Sequence, residues 1–589
     1  MITPMLKYTF LVYHRDYLAF LEALQDVGVV EIVERDVEMD EETLGHLRDI
    51  RQLRQWIGFL KRRKVTPGAQ DSSVEAADLV TAMEELETER EQIRTQINTL
   101  QKEINRILPW GHFNAETIGR LQEAGITVRF FICPAKKFDP AWKETYYTGI
   151  INVVQSSLYF VIFQQRDETI EIEAEEIAMP QRHLSEMKAL VKDDKKRLDE
   201  IERTFDTYAE RHTESLERAL SEAQEKTEFR KAVLHTRKEA ADKLMVLQGW
   251  VPVTKEEKLI SFLDTEGILY LTSPPSPDEK VPVLLNNGRF TRLFEPIGRL
   301  FSLPDYMELD LTPFFAPFFM MFFGFCLGDA GYGLILLTAG TLLKRKVNRK
   351  LRPVLTLVQF FGLATLFFGI LTGTFFGIAL ARVPSLENIR SLFLNNGQVF
   401  WLAIIIGLVQ ILFGTGLRAA NQIKRYGFVY SLSSIGWILL VIGGLDAFKF
   451  RVAGVAGYIV LFTGIFLIVF FSNPKASILG RIGRGLWDLY GITGIFGDVL
   501  SYVRLFALGV SSSILGLVIN DIAMQIKGAS PVIGPILFVI FLLLGHSLNI
   551  AISCLGAFVH PMRLTFVEFY KNAGFSGGGK PYKPFSKTQ

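Results

Sequence analysis

Cysteine is nearly missing from this chain. Cys133, Cys326 and Cys554 are the only three in 589 residues, and no metal-ligand spacing connects them, so neither a disulfide scaffold nor a zinc site is expected. Net charge is also small. Sixty-four basic against sixty-two acidic residues leave +2, which excludes a bulk electrostatic pull on nucleic acid, and no nucleic-acid recognition motif is present. Met1 to Asp16 lacks a basic region followed by an apolar core and a small-residue cleavage site, so no signal peptide is read and the charged half is expected to stay in the cytoplasm. A phosphate-binding loop is missing too. Gly577-Gly578-Gly579-Lys580 sits in a short tail without the strand and helix such a loop requires, so no nucleotide site is expected.

What is present divides into two unlike halves, and the mean hydropathy of +0.23 averages them. Residues 1–310 are highly charged and read as α/β lobes joined by a long antiparallel coiled-coil arm. One lobe combines residues 1–35 with 240–275; the other lies near 113–175. Strand-like runs at 6–12, 29–33, 127–132 and 159–163 belong to them. Between the lobes, Leu79, Met83, Leu86, Arg90, Ile93, Ile97, Leu100, Ile104 and Ile107 alternate four and three apart, a heptad seam with one polar exception. A second seam runs through Leu184, Met187, Val191, Asp194, Leu198, Ile201, Phe205, Tyr208 and His212, again alternating three and four apart. Their flanking of one lobe predicts a hairpin over roughly 40–110 and 180–240 rather than two separate oligomeric coiled coils. His183, His212 and His235 are read as packing residues.

From 311 to 575 the chain is a succession of apolar runs, most near the ~20 residues needed to span a bilayer. Basic loops at 344–352, 418–425 and 475–484, together with the lysines of the 576–589 tail, fall on the cytoplasmic side by the positive-inside rule. The loops at 382–398 and 446–451 are less basic. An N-terminal half on the same side requires the run at 314–343 to enter and return, giving eight membrane segments. Gly328-Asp329-Ala330-Gly331-Tyr332-Gly333 offers the break, with Asp329 as its cap.

Arg504 lies inside an apolar segment. A cation there costs roughly 2.5–3.5 kcal/mol on insertion scales, which marks it as functional unless it merely pairs with Asp498 or Asp521. Its helical face carries Ser501, Ala507, Leu508 and Ser511, with Gly509, Ser512, Ser513 and Gly516 close by, and the small residues among them let another helix approach. Arg563 is a second candidate, with His560 three residues before it, although an interfacial anchor would look the same. Polar groups at depth suited to water-filled half-channels are Ser501, Ser511, Ser512, His546, Asn549, Ser553 and His560. Glu568, five residues past Arg563 and off its face on a regular helix, is placed at the interface.

Several of these stretches together resemble a known family. They are Pro-Trp-Gly-His-Phe at 109–113, Gly249-Trp250-Val251-Pro252, Thr312-Pro313-Phe314-Phe315-Ala316-Pro317-Phe318-Phe319, Leu500-Ser501-Tyr502-Val503-Arg504-Leu505 and His560-Pro561-Met562-Arg563-Leu564. The resemblance is to the membrane stator subunit of V-type and A-type rotary ATPases, subunit a or subunit I. It implies a multi-pass protein of a bacterial or archaeal cell membrane that contributes ion half-channels and is not itself catalytic. It further implies that Arg504 and Arg563 face a rotor ring of small subunits, each with an ion-binding carboxylate. The partners implied are that ring, peripheral-stalk subunits, the catalytic head, the central stalk and membrane lipid. Some family members carry a glutamate ten positions before the second arginine, where Ser553 stands here, so an acid-dependent proton relay is not expected at that point, and Glu568 is not read as a substitute for the missing acid. The rival reading is a self-contained secondary transporter or channel with a coiled-coil arm, for which internal repeats would be expected.

Overall fold

The computed structural model describes the chain apart from residues 36, 64, 67, 69–73, 112–114, 166–169, 171, 179–183, 278, 381–392, 448–453, 530 and 588–589. His183, the end of the 109–113 stretch and most of the two less basic loops therefore lie outside the described residues. The described chain forms two compact units, residues 1–34 with 236–585 and residues 35–235 with 586–589.

In the first unit, Met5–Tyr13 pairs antiparallel with Leu244–Pro252 on one side and Leu269–Ser273 on the other. Met5, Tyr8, Phe10 and Val12 are buried while Tyr13 is exposed, the alternation of a strand with one face on a core. Helix α1 (Tyr17–Val27) covers that face with Tyr17, Phe20, Leu21 and Leu24, and Gly28 stops it at φ 64°. The C-terminal tail returns to this lobe. Lys580–Pro581 pairs in parallel with Pro282–Val283, and the Phe585 amide donates to the Val30 carbonyl at 2.7 Å. The Lys583 amide donates to the Glu31 carboxylate at 2.7 Å, and burial pushes that carboxyl up to about 7.

The second unit is built on four helices, α2 (Glu41–Lys61), α3 (Ala76–Ile107), α4 (Leu184–Arg211) and α5 (Thr213–Leu234). Asp40 caps α2 through the Thr43 amide at 3.0 Å and binds Arg230 of α5 at 2.8 Å. Helices α3 and α4 pack in opposite directions. Ile97, Leu100 and Ile107 meet Leu184, Met187 and Val191, while Leu79 and Met83 meet Ile201 and Phe205. Arg90, the polar exception in the seam, bonds Glu202 at 3.4 Å and stacks over Phe59 and Phe205, so its charge is paired where its stem is buried. The second seam divides between Arg211 and Thr213. A four-stranded antiparallel sheet, ordered Tyr147–Val154, Ser157–Gln165, Ile126–Pro134 and Glu175–Ile177, completes this unit.

Beyond the lobe, the first unit continues as a bundle of apolar helices: α6 (Thr312–Leu327), α7 (Ala330–Lys346), α8 (Arg352–Thr372), α9 (Asn396–Tyr426), α10 (Phe428–Leu445), α11 (Val455–Phe471), α12 (Ile478–Leu489), α13 (Ile492–Ser501), α14 (Val503–Ala529) and α15 (Ile533–Arg563). Helices α8, α9 and α10 and the runs Ile478–Ala529 and Ile533–Ala573 are long and apolar enough to cross a membrane. Helices α6 and α11 are shorter apolar ones. The phenylalanine-rich α6 sits centrally, packing on α8, α14 and α15 with Phe315, Phe319 and Phe322 fully buried. Small residues let backbones meet elsewhere. A Cβ on Gly333 of α7 would come within 2.5 Å of the Leu366 amide nitrogen, and one on Gly443 of α10 within 2.5 Å of that of Leu461.

The run at 314–343 is broken, as its glycines predict. Gly328 ends α6 at φ 53°, and Asp329 caps α7 by accepting from the Gly331 and Tyr332 amides. The apolar stretch at 487–526 is less regular than its composition suggests. It turns at Tyr490–Gly491 and again at Tyr502, whose buried ring lies against Gly407 and whose hydroxyl donates to Gln410 at 2.7 Å.

Candidate functional site in the helical bundle

The break between α6 and α7 organises one side of the bundle. Asp329 is fully buried and makes no ion pair among the described residues. Its charge is met by four backbone amides instead: Oδ1 accepts from Gly331 at 2.8 Å, Tyr332 at 3.2 Å and Phe376 at 2.9 Å, and Oδ2 from Gly377 at 2.7 Å. Phe376 and Gly377 form the positive-φ turn between Thr374–Phe375 and Ile378–Ala379, so Asp329 fastens that hairpin to α7.

From Tyr332, one turn on, a chain of polar side chains runs through the apolar interior. The hydroxyl meets His546 Nδ1 at 2.7 Å and accepts from Asn549 Nδ2 at 2.7 Å. His546 Nε2 lies 3.0 Å from Asn520 Oδ1, and Asn520 donates to the Phe376 carbonyl at 2.7 Å. In the other direction the Ser553 hydroxyl donates to Asn549 Oδ1 at 3.1 Å and accepts from Ser512 at 3.0 Å. Three helices, α7, α14 and α15, thus contribute to one connected row.

Arg504 occupies the first turn of α14. It is half-buried, its Nη1 is buried without a hydrogen-bond partner, and the guanidinium makes no ion pair among the described residues. Neither aspartate that could neutralise it does so. Asp498 is taken by Lys571 at 3.1 Å and Asn572 at 2.8 Å, and Asp521 is exposed. Arg563, at the end of α15, is exposed, and His560 stands one turn before it.

Glu568 is the principal departure from the sequence reading. It is 3% exposed rather than interfacial, with Oε1 accepting from Ser501 at 2.6 Å and Oε2 buried without a partner. The reason is local. Leu564–Phe569 winds as a π-helix, and the wider turn swings Glu568 off the position that a regular helix would give it. Close by, a polar cavity of about 640 Å³ is lined by Asp498, Lys571, Asn572, Arg418, Arg484 and Asp488.

Of the residues singled out from sequence, Ser512, His546, Asn549 and Ser553 fall into one hydrogen-bonded row. Ser501 joins Glu568, Ser511 is exposed on its helix, and His560 lies by the arginines. Tyr332 and Asn520 were missed. Each is a lone polar group in an apolar run, and the Asn520 position directly before Asp521 reads as a helix end.

The fold and this arrangement define a membrane protein whose helical bundle carries a partly buried cation without a counter-ion among the described residues. Residues 151–366 match the V-type ATPase 116kDa subunit family. The V-type ATP synthase subunit I of Borreliella burgdorferi is 26% identical over the whole of both chains. The A-type ATP synthase subunit I of Methanocaldococcus jannaschii is 31% identical over 59% of this chain and 56% of its own length, and that of Pyrococcus horikoshii is 32% identical over 67% and 62%. A solved cytoplasmic N-terminal domain of a subunit I, homolog of subunit a of V-ATPase, covers 46% of this chain at 16% identity, with a TM-score of only 0.24. The chain belongs to the V-type and A-type ATPase subunit I family.

Proposed function

We propose that this chain is the stationary membrane subunit of a rotary V/A-type ATPase, coupling proton or sodium passage to ATP hydrolysis or synthesis carried out by partner subunits. Arg504 without a counter-ion is the observation that carries the reading. A carboxylate facing lipid is neutral or ion-bound, because ionising it at low dielectric is costly. Opposite Arg504 the ionised form becomes favourable, so a passing rotor carboxylate releases its ion there. An arginine suits this task because it does not lose its proton when buried, whereas a lysine can. Its fixed charge also repels cations that would otherwise leak straight through. Arg563 supplies a second positive charge, one turn beyond His560.

Two offset aqueous paths then separate release from loading. The cavity at Asp498 and Lys571, whose Asn572 also bonds the Glu568 carbonyl, supports one path on the side of the tail; the row from Asn520 to Ser512 supports the other. Glu568 takes the place of the acid that Ser553 does not supply. The lobe and the tail meet, which supports an even number of crossings. With α6 and α7 as two half-length segments, the count is eight. Helices α2 to α5 serve as the antiparallel coiled-coil arm on the cytoplasmic side, tied to peripheral stalks that hold the catalytic head against rotation.

The test is ATP-driven ion uptake into inverted membrane vesicles of the native host, with and without sodium, comparing wild type with Arg504→Ala. Loss of uptake from a complex that still assembles is expected. Undiminished uptake would overturn the assignment.

A further inference from the structure

A second charged feature lies away from Arg504, where α8 begins. A cavity of about 560 Å³ is bounded on its polar side by Arg289, Arg349 and Arg352 and on its other side by Phe290, Leu293 and Phe360. The apolar wall is fixed, because Phe290 packs edge-on against Phe360 with ring centroids 5.2 Å apart. The polar side is uncompensated. Residues 344–352 carry six cations, and no Asp or Glu occurs between Asp329 and Glu387. Asp329 is itself saturated by amides, and Glu295, the acid nearest in sequence to Arg289, pairs with Arg299 and accepts from Asn287. None of the three arginines makes an ion pair among the described residues.

Like charges are gathered round this space with no ion-pair partner among the described residues to neutralise them. An occupant must therefore be anionic, and the phenylalanine wall requires it to be apolar on one side. Small anions do not meet the second condition. We propose that this cavity binds the phosphate headgroup of an anionic phospholipid, with its acyl chains running down the outer face of α8. That face is suitable, since Leu363, Phe367 and Ile370, which continue the side of α8 that carries Arg352 and Phe360, are all more than half exposed. The arginine forks would engage the phosphate oxygens, and Phe290 and Leu293 would cover the glycerol end of the chains. Such a site fixes the depth of α8 at the edge of the bilayer beside the α7–α8 turn.

The full-length chain is reconstituted in nanodiscs of phosphatidylcholine containing a minor share of phosphatidylglycerol. After extraction, the lipid retained per chain is counted by native mass spectrometry for wild type, Arg289→Gln/Arg352→Gln and the charge-matched Arg345→Gln/Lys346→Gln. The cavity variant is expected to lose phosphatidylglycerol roughly tenfold while the control keeps it, and phosphatidylcholine retention should not change. Equal losses in both variants would reduce the effect to a general surface field and overturn the site. Displacement of retained lipid by millimolar inorganic phosphate alone would show a free-anion site, and unchanged retention in the cavity variant would end the proposal. All four substituted residues are exposed, and equal thermal midpoints for the variants would verify that each has folded.

Discussion

Ser501 donates its hydroxyl hydrogen bond to Glu568 across 2.6 Å, joining the end of α13 to the π-helical turn after α15, and leaves the other carboxylate oxygen buried and unpartnered. A buried acceptor without a donor is expensive to keep unless something transient uses it. If the bundle passes ions as proposed, a buried carboxylate beside a polar cavity would have that use. Glu568→Gln should lower ATP-driven ion uptake about tenfold or more with the complex still assembled, because the amide cannot exchange an ion at this point. Ser501→Ala should cost far less. Equal uptake by Glu568→Gln and wild type would make the residue purely architectural.

Asp329 leads to a stability prediction that is independent of transport. Replacing it by Asn keeps one oxygen for the Oδ1 donors but turns an amide NH₂ toward the Gly377 N–H, leaving two donors face to face in a fully buried place. A loss of roughly 1–3 kcal/mol is expected. Thermal unfolding in detergent should register it as a lower midpoint, and the hairpin at Thr374–Ala379 should become the first site of proteolysis.

Much of this was legible in the sequence, and what escaped has a common cause. The two halves, the strands, both heptad seams and the broken run at Gly328–Asp329 follow from period, length and glycine placement, which are local properties. Arg504 was legible because a cation in an apolar run violates the pattern round it. Glu568 was misread because helical-wheel reasoning assumes 3.6 residues per turn, and the π-turn at Leu564–Phe569 breaks that assumption. Tyr332 and Asn520 escaped because a hydrogen-bonded row shared by three helices depends on tertiary packing. The return of the tail to the Val29–Glu31 edge likewise spans the whole chain, and no spacing rule announces it.

The row itself can be tested at its hub. Tyr332→Phe removes one hydroxyl that serves both His546 and Asn549. Asn549 keeps the Ser512 carbonyl at 3.3 Å, whereas His546 Nδ1 is left with no partner among the described residues. The expected cost is about 1–3 kcal/mol, read as a lower unfolding midpoint. If the row also carries an aqueous path, uptake per assembled complex should fall beyond what the lost stability accounts for. Tyr332→Phe with His546→Ala should then be less than additive, because both act on one bond. Strict additivity would mean that the two side chains act separately.

The contact between tail and lobe should depend on pH through Glu31. Burial raises this carboxyl in the folded chain to about 7, above its ordinary value, so the folded state holds a proton that the unfolded state has already lost. The contribution is therefore fully present at low pH and is lost as pH rises toward 7, the reverse of the usual behaviour of a carboxylate. Because Glu31 is only part-buried, solvent screening limits the effect to roughly 1 kcal/mol. Glu31→Gln retains an oxygen to accept from the Lys583 amide but no longer ionises. Hydrogen exchange at the Lys583 and Phe585 amides should show faster opening at pH 8 than at pH 5 in wild type, after correction for intrinsic exchange, and no such difference in Glu31→Gln. Equal pH dependence in both proteins would assign the effect to another group at the junction, with Glu34 and Lys580 the first to examine.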